Sequence, residues 1–304
     1  MIAIPPSFIF SSPWPAGRHD PSRAEPTWPG VFEVLVCAAL NRSNVSDIES
    51  HRPPTPLPVQ IIPLSTLPEV APGDDLADLL AEAARQQSAA FRRGDVLVVA
   101  QKIVSKAEGR IVRLDSIEPS ERAARWAAQY HKDPRAIEVV LREASHIVRM
   151  ERGLIIAKTR HGFVCANAGV DLSNVADGMA SLLPEDPDAS ARLLQKQLAR
   201  AFAVHLAVII SDTFGRPWRE GLVNVALGVA GLEPLIDYRG QRDSHNRMLQ
   251  ATVIALADEI AAAAGIVMGK LNRVPAAVLR GIPLSRGTGN GRDLIRPEDR
   301  DLFK

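Results

Sequence analysis

Cysteine is nearly absent. The chain carries two, Cys37 and Cys165, in 304 residues. That is too few for a disulfide framework or a cysteine-rich zinc site, and it suits a reducing cytoplasm. An excess of one charge is also missing: 36 Lys and Arg offset 35 Asp and Glu, for a formal net charge of +1. Such a balance gives no electrostatic reason to expect nucleic acid or an anionic membrane surface as partner. Long hydrophobic runs are absent too. IVRM and LAVII fall far short of the ~20 residues needed to cross a bilayer. No basic segment leads into an apolar stretch at the N-terminus, so no secretory signal is expected. His131, His146, His161, His205 and His245 show no HxH or HExxH spacing, which argues against zinc. GxSxG is absent, and neither cysteine has an adjacent histidine signature, so covalent hydrolase chemistry lacks support.

What is there is 46% hydrophobic residues, enough for a sizeable core in one large domain or two small ones. Prolines are unevenly placed: 11 of the 23 fall in residues 1–58. IPPSFIFSSPWPAG and HRPPTPLP cannot continue a helix, because proline lacks the donor and clashes with the preceding turn. Residues 1–58 read as an irregular extension, with VFEVLVCAAL (31–40) as a short ordered element inside it. From Val59 the texture is that of a folded domain, 59–304. VQIIPL is a strand, and PGDDLADLLAEAARQQ is an amphipathic helix capped by Asp74 or Asp75. GDVLVVAQ is a buried strand. SERAARWAAQYH and DPRAIEVVLREA are helices, the second with Pro134 in its first turn. HIVRM, GLIIAKT and GFVCANA are strands joined at ERG and RHG by hairpin turns. ASARLLQKQLARAF is helix, VHLAVII strand, SHNRMLQATVIALADEIAAAAGIVMG one long apolar helix, and VPAAVLRGI strand. Without regular βαβ alternation, the fold class is α+β, with mixed, largely antiparallel sheets and packed helices.

Five stretches have the residue types chemistry needs. In CANAGVDLSNV (165–175), Asp171 and Asn174 fall on one side of a turn, either as site residues or as cap and turn former. In SDTFGRPWREG (211–221), Asp212 and Thr213 sit just past an apolar strand end. Carboxylate plus hydroxyl oxygen is a ligand set for a hard cation such as Mg²⁺ or Mn²⁺. Arg216 and Arg219 suit anionic groups; the alternative is a solvated loop. In QKIVSKAEGR (101–110), Lys102 and Lys106 lie four apart, suited to phosphate, though no GxxxxGK[ST] loop occurs and a solvated amphipathic strand remains open. VMGKLNRVPAAVLRG (267–281) places Lys270 and Arg273 in a helix-to-strand loop between Gly269 and Pro275. SRGTGNGRDLIRPEDRDLF (285–303) has a glycine cluster, but no helix is shown to follow it, so a phosphate reading is weak; the flanking charges suggest a turn-rich tail.

Taken in order, PGDDLADLL, GDVLVVAQKIVSKAEGR, ANAGVDLSNV, IISDTFGRPWREG and RDLIRPEDRDLF closely resemble the coenzyme F420:L-glutamate ligase family, over roughly Val59 to Lys304. The resemblance implies a GTP-dependent ligase. It would add L-glutamate, then further γ-linked glutamates, to the deazaflavin precursor F420-0 through an acyl phosphate. It implies Mg²⁺ or Mn²⁺, an auxiliary K⁺, and a homodimer with its site near the subunit interface. By residue, it implies Asp171, Asp212 and Thr213 at the metal, and Lys106 at the phosphates. Asn174, the IPLS segment (Ile62, Pro63, Leu64, Ser65) and Gly269, Lys270, Val274 and Pro275 would line the nucleotide. Arg216 and Arg219 would anchor the acidic substrates. Lys270 departs from the polar, metal-competent residue of several archaeal relatives: a cation cannot ligate metal, but it can neutralise phosphate. Some relatives continue into a flavin-binding reductase-like domain; a chain stopping at Lys304 is expected to be a stand-alone ligase. The alternatives are a metal-dependent phosphatase or nucleotidase using the same aspartates, and a non-catalytic nucleotide-binding protein.

Overall fold

A computed structural model describes residues 58–301. The extension expected over 1–58 lies outside them apart from Pro58, as do Cys37 and the element expected at 31–40. In chain order the first elements are β1 (Gln60–Leu64), α1 (Leu76–Gln86), β2 (Val96–Ala100), α2 (Gln101–Ala107) and β3 (Ile111–Arg113). Next come α3 (Glu121–Tyr130), α4 (Pro134–Glu143), β4 (Ala144–Glu151), β5 (Leu154–Thr159), β6 (Val164–Ala166) and β7 (Met179–Ser181). The last are α5 (Pro187–Phe202), β8 (Ala207–Arg216), β9 (Arg219–Ala230), β10 (Ile236–Asp237), β11 (Val253–Ile254), α6 (Leu256–Met268) and β12 (Ala276–Arg280). The α+β class expected from the irregular alternation is what the chain adopts.

The helix starts follow capping chemistry. Asp75, rather than Asp74, takes the N–H groups of Ala77 and Asp78 at the head of α1, while Asp74 closes the preceding turn on Ala71 N. Asp133 caps α4 ahead of Pro134, which has no N–H to leave unpaired.

The main sheet runs β1-β12-β2-β8-β9. Only the β2–β8 pair is parallel; the other neighbours are antiparallel. Strand β2 is apolar at every position because both faces are covered. Leu97 and Val99 join one core with α1 and α5, and Val96 and Val98 join another with α6. A second layer packs α3 and α4 on the β4-β5-β6 sheet around Ile155 and Ala157. Its ERG turn has Arg152 and Gly153 at φ +53° and +75°, the signs a tight hairpin turn requires.

Four expectations change. Residues 244–269 are not one helix. Asp243 takes the N–H groups of His245 and Arg247 into a turn, and only Leu256–Met268 is helical. The QKIVSKA segment is helix, not amphipathic strand. The strand ending in LAVII does not stop before Asp212. It continues to Arg216 and pairs with β9, with Asp212 opposite Val225 and Thr213 opposite Asn224. The glycine cluster serves close packing. A Cβ on Gly287 would lie 1.7 Å from Glu233 Oε1, and one on Gly291 would lie 2.1 Å from Leu227 O. Buried Asp188 of α5 fastens this segment by accepting both Gly291 N (2.6 Å) and Val229 N (2.9 Å).

Candidate active site

One rim of the main sheet gathers segments far apart in sequence. Ala100, the last residue of β2, pairs with Ser211, and Asp212 follows directly on β8. Strand β12 runs the other way, so its first residue, Ala276, lies between Val99 and Leu64 at the same rim. The Pro275 carbonyl accepts Ala100 N at 2.8 Å, which ties the 269–275 loop to the start of α2. The site thus forms beyond the carboxyl ends of the only parallel pair among the described residues, where open α/β sheets also present ligands.

Helix α2 points Lys102 across the rim. Its Nζ donates to Asp171 Oδ2 (2.6 Å), Ser173 Oγ (2.8 Å) and Ser173 O (2.7 Å). Asp171 is held by a two-way backbone bridge to Ser181, and its Oδ1 accepts Ser173 N at 2.7 Å. Burial pushes the Asp171 carboxyl up, but the Lys102 ammonium and the Ser173 donors outweigh it and hold the group below the usual carboxylate range. The sequence marks Lys102 with Lys106 as suited to phosphate; the structure instead pairs Lys102 with Asp171. The four-residue spacing from Lys106 was the available signal, because it puts both on one helix face.

Asp212 contrasts with Asp171. Part of the residue reaches solvent, yet its carboxylate is crowded by protein and accepts one hydrogen bond, from Thr213 N at 2.8 Å. Burial pushes it up to about 6; the Thr213 N–H opposes this, and the nearby Asp171 charge adds to it. The same burial, with Asp212 close by, pushes the Cys165 thiol up to about 12, so Cys165 is an inert core thiol. Thr213 Oγ1 donates to Asn224 Oδ1 (2.8 Å) and accepts from Lys270 Nζ (2.5 Å). Asn224 was not foreseen; no sequence signal marks it, since it depends on the register of an unanticipated strand.

The remaining expected residues are distributed as follows. Lys106, mostly buried, is ion-paired with the exposed Glu69. Asn174 is exposed with φ +53°. The Leu64 side chain lies in the core, and Ile62 packs against it. The end of this strand turns outward through Pro63 O and Ser65 N, both hydrogen-bonded to the Gln87 side chain. Gly269 ends α6 at φ +57°, and Val274 packs against the α6-side core. Arg216 and Arg219 stand at the hairpin tip, about 10 Å along the strand from Thr213. Arg216 donates to Glu220 O, and its buried Nε has no partner. No hydrogen bond joins either arginine to the Asp171–Lys102 cluster.

Asp171, Asp212 and Thr213 offer only hard oxygen donors, and the singly hydrogen-bonded Asp212 carboxylate has acceptor capacity left for a cation. Among the described residues no group of three or more His, Cys, Asp and Glu is placed to hold a metal alone. Two carboxylates plus substrate phosphates is the way Mg²⁺ is usually held, so the donor set fits such an ion once nucleotide is present. No helix among the described residues is long and apolar enough to cross a membrane.

Comparison with known proteins identifies the family. The family model for F420-0:gamma-glutamyl ligase matches residues 65–281. The chain is 47% identical over 249 residues to the coenzyme F420:L-glutamate ligase of Methanothermobacter thermautotrophicus, covering 81% of this chain and 99% of that protein. It is 48% identical over 253 residues to the protein of the same name from Methanopyrus kandleri, covering 82% and 98%. A third, from Archaeoglobus fulgidus, is 39% identical over 247 residues, covering 81% and 96%. The chain belongs to the F420-0:gamma-glutamyl ligase family, and the ligase class expected from the sequence is borne out.

Proposed function

We propose that this family member joins L-glutamate to the deazaflavin precursor F420-0, and then adds further γ-linked glutamates, at the expense of GTP. The names of its relatives supply the acceptor and the amino acid. The observation that carries the reading is the single rim that collects Lys102, Asp171, Asp212, Thr213 and Lys270. Joining a carboxylate to an amine in water needs an activated acyl group, and phosphoryl transfer asks a protein mainly for positioning and charge neutralisation.

In this reading Asp171, Asp212 and Thr213 hold Mg²⁺ or Mn²⁺, which screens the phosphate charge when bound. Lys102, Lys106 and Lys270 face the phosphoryl oxygens. Binding there replaces the present partners Asp171 and Glu69, while Lys270 keeps its contact with Thr213 and turns its other N–H groups to the phosphates. The Ile62–Ser65 strand end, Asn174 and the Gly269–Pro275 loop line the nucleotide, and Arg216 and Arg219 anchor the acidic substrates. The F420-0 carboxylate oxygen attacks the γ-phosphorus and GDP departs. The glutamate α-amine then attacks the acyl phosphate carbon, releasing phosphate and a proton. A homodimer, an auxiliary K⁺ and a reducing cytoplasm complete the picture on the family resemblance.

The test is GDP release with GTP, Mn²⁺ and L-glutamate, with and without F420-0, following the deazaflavin by mass. A gain of one or more glutamyl units coupled to GDP supports the ligase. GDP release indifferent to acceptor and glutamate would leave a nucleotidase instead.

A further inference from the structure

We propose that Lys270 is a built-in cation of this site, standing on Thr213 where a second divalent ion would otherwise be needed, so that the protein works with one. The inference rests on the reading above. Thr213 Oγ1 has one proton and two lone pairs. It gives the proton to Asn224 Oδ1 and receives Lys270 Nζ at 2.5 Å, so the ammonium already occupies the outward side of the hydroxyl. Asn224 lies directly opposite Thr213 in the β8–β9 register. Its acceptor oxygen orients the hydroxyl so that a lone pair faces the lysine.

Formal charge points the same way. Asp171 and Asp212 count −2, and Lys102 and Lys270 count +2, so the cluster is formally neutral before any ligand binds. One divalent ion makes it +2, and the outer phosphates of a nucleoside triphosphate can match that. A second ion would raise it to +4, with an ammonium held against the Thr213 oxygen that ion must share. Thr213 Oγ1 has no lone pair left for a second ion, with its proton on Asn224, one lone pair on Lys270 and the other on the first ion. Lys270 is exposed and sits in the 269–275 loop behind Gly269, so the N–H groups it does not give to Thr213 are open to the phosphates.

The experiment is Mn²⁺ stoichiometry by equilibrium dialysis and electron paramagnetic resonance on the full chain saturated with GDP. Wild type and Lys270→Glu are compared, with thermal melts to confirm that the variant is folded. The exchange changes the cluster by −2, the charge one further divalent ion restores. The expected result is one Mn²⁺ per chain in wild type and two, magnetically coupled, in Lys270→Glu. Lys270→Met, which removes the charge without adding an oxygen ligand, is expected to stay at one. Two ions in wild type, or one in Lys270→Glu, would overturn the inference while leaving the ligase reading intact, since that reading is judged separately by glutamyl transfer. No bound Mn²⁺ in wild type would sink the metal assignment and this inference together.

Discussion

The two ends of the β2–β8 strand pair each bury an aspartate, and they treat it in opposite ways. At the amino end Asp95 is 1% exposed and fully engaged. Its two oxygens receive Arg280 Nε (2.9 Å) and Nη2 (2.7 Å), and the second also receives Arg92 N (2.7 Å). At the carboxyl end Asp212 has one backbone donor; burial first, and the neighbouring Asp171 charge after it, raise its affinity for a proton. The first arrangement is finished and serves stability. The second is left short of hydrogen-bond donors, which is how sites that await a ligand differ from structural ion pairs. The same residue type on one sheet thus separates scaffold from site by the number of partners it has.

That contrast can be broken from either end. The largest effect is expected for Asp212→Asn: loss of at least about 100-fold in glutamyl transfer, beyond the range for residues that only support a metal ligand. Its melting temperature should be unchanged or higher, because a charge held in an unfavourable place is removed; a drop of many degrees would make Asp212 structural. Next, Arg280→Met should cost roughly 3–5 kcal/mol in chemical denaturation by stranding the Asp95 charge. Its activity per folded molecule should stay near wild type, and a preserved stability would erase the distinction between the two ends. Asn224→Ala, which frees the Thr213 hydroxyl, should lower turnover about 10- to 100-fold with little change in stability. The smallest effect concerns neither end. Glu138 accepts from Ser120 Oγ and N and from Arg142, which hold its carboxyl down at about 2, against an ordinary 4.5. A depressed carboxyl stabilises the fold above its ordinary value and loses that contribution as pH falls toward 2. Denaturation curves between pH 5 and 2 should therefore show wild type losing stability relative to Glu138→Gln, with activity at neutral pH alike.

Much of this was legible before any coordinates. Strands such as VLVVA and caps such as Asp75 and Asp133 follow from local chemistry, and local chemistry is what a sequence displays. Asp171, Asp212 and Thr213 could be singled out because oxygen donors beside apolar strands are conspicuous. What stayed hidden depends on pairing at a distance. The hairpin at Pro217–Trp218 could not be told from a solvated loop, because Trp218 adopts φ +57° in a turn that only the flanking strands enforce. With β9 unseen, neither Asn224 nor the register that seats it against Thr213 could be inferred. The long helix expected over 244–269 failed differently: its apolar half is helical, but Asp243 captured the preceding residues locally. Lys102 was visible as a cation, but its partner Asp171 is 69 residues away.

The clasp made by Asp188 and the glycines near 290 has a consequence beyond holding a tail. Strand β9 is the last in its sheet, and a bare last strand invites another chain to pair with it. The Gly291 segment lies against β9 at Leu227 and Gly228 so closely that no side chain fits between. Close backbone cover of this kind shields that stretch of the edge, so the glycines act as insulation against edge-to-edge aggregation.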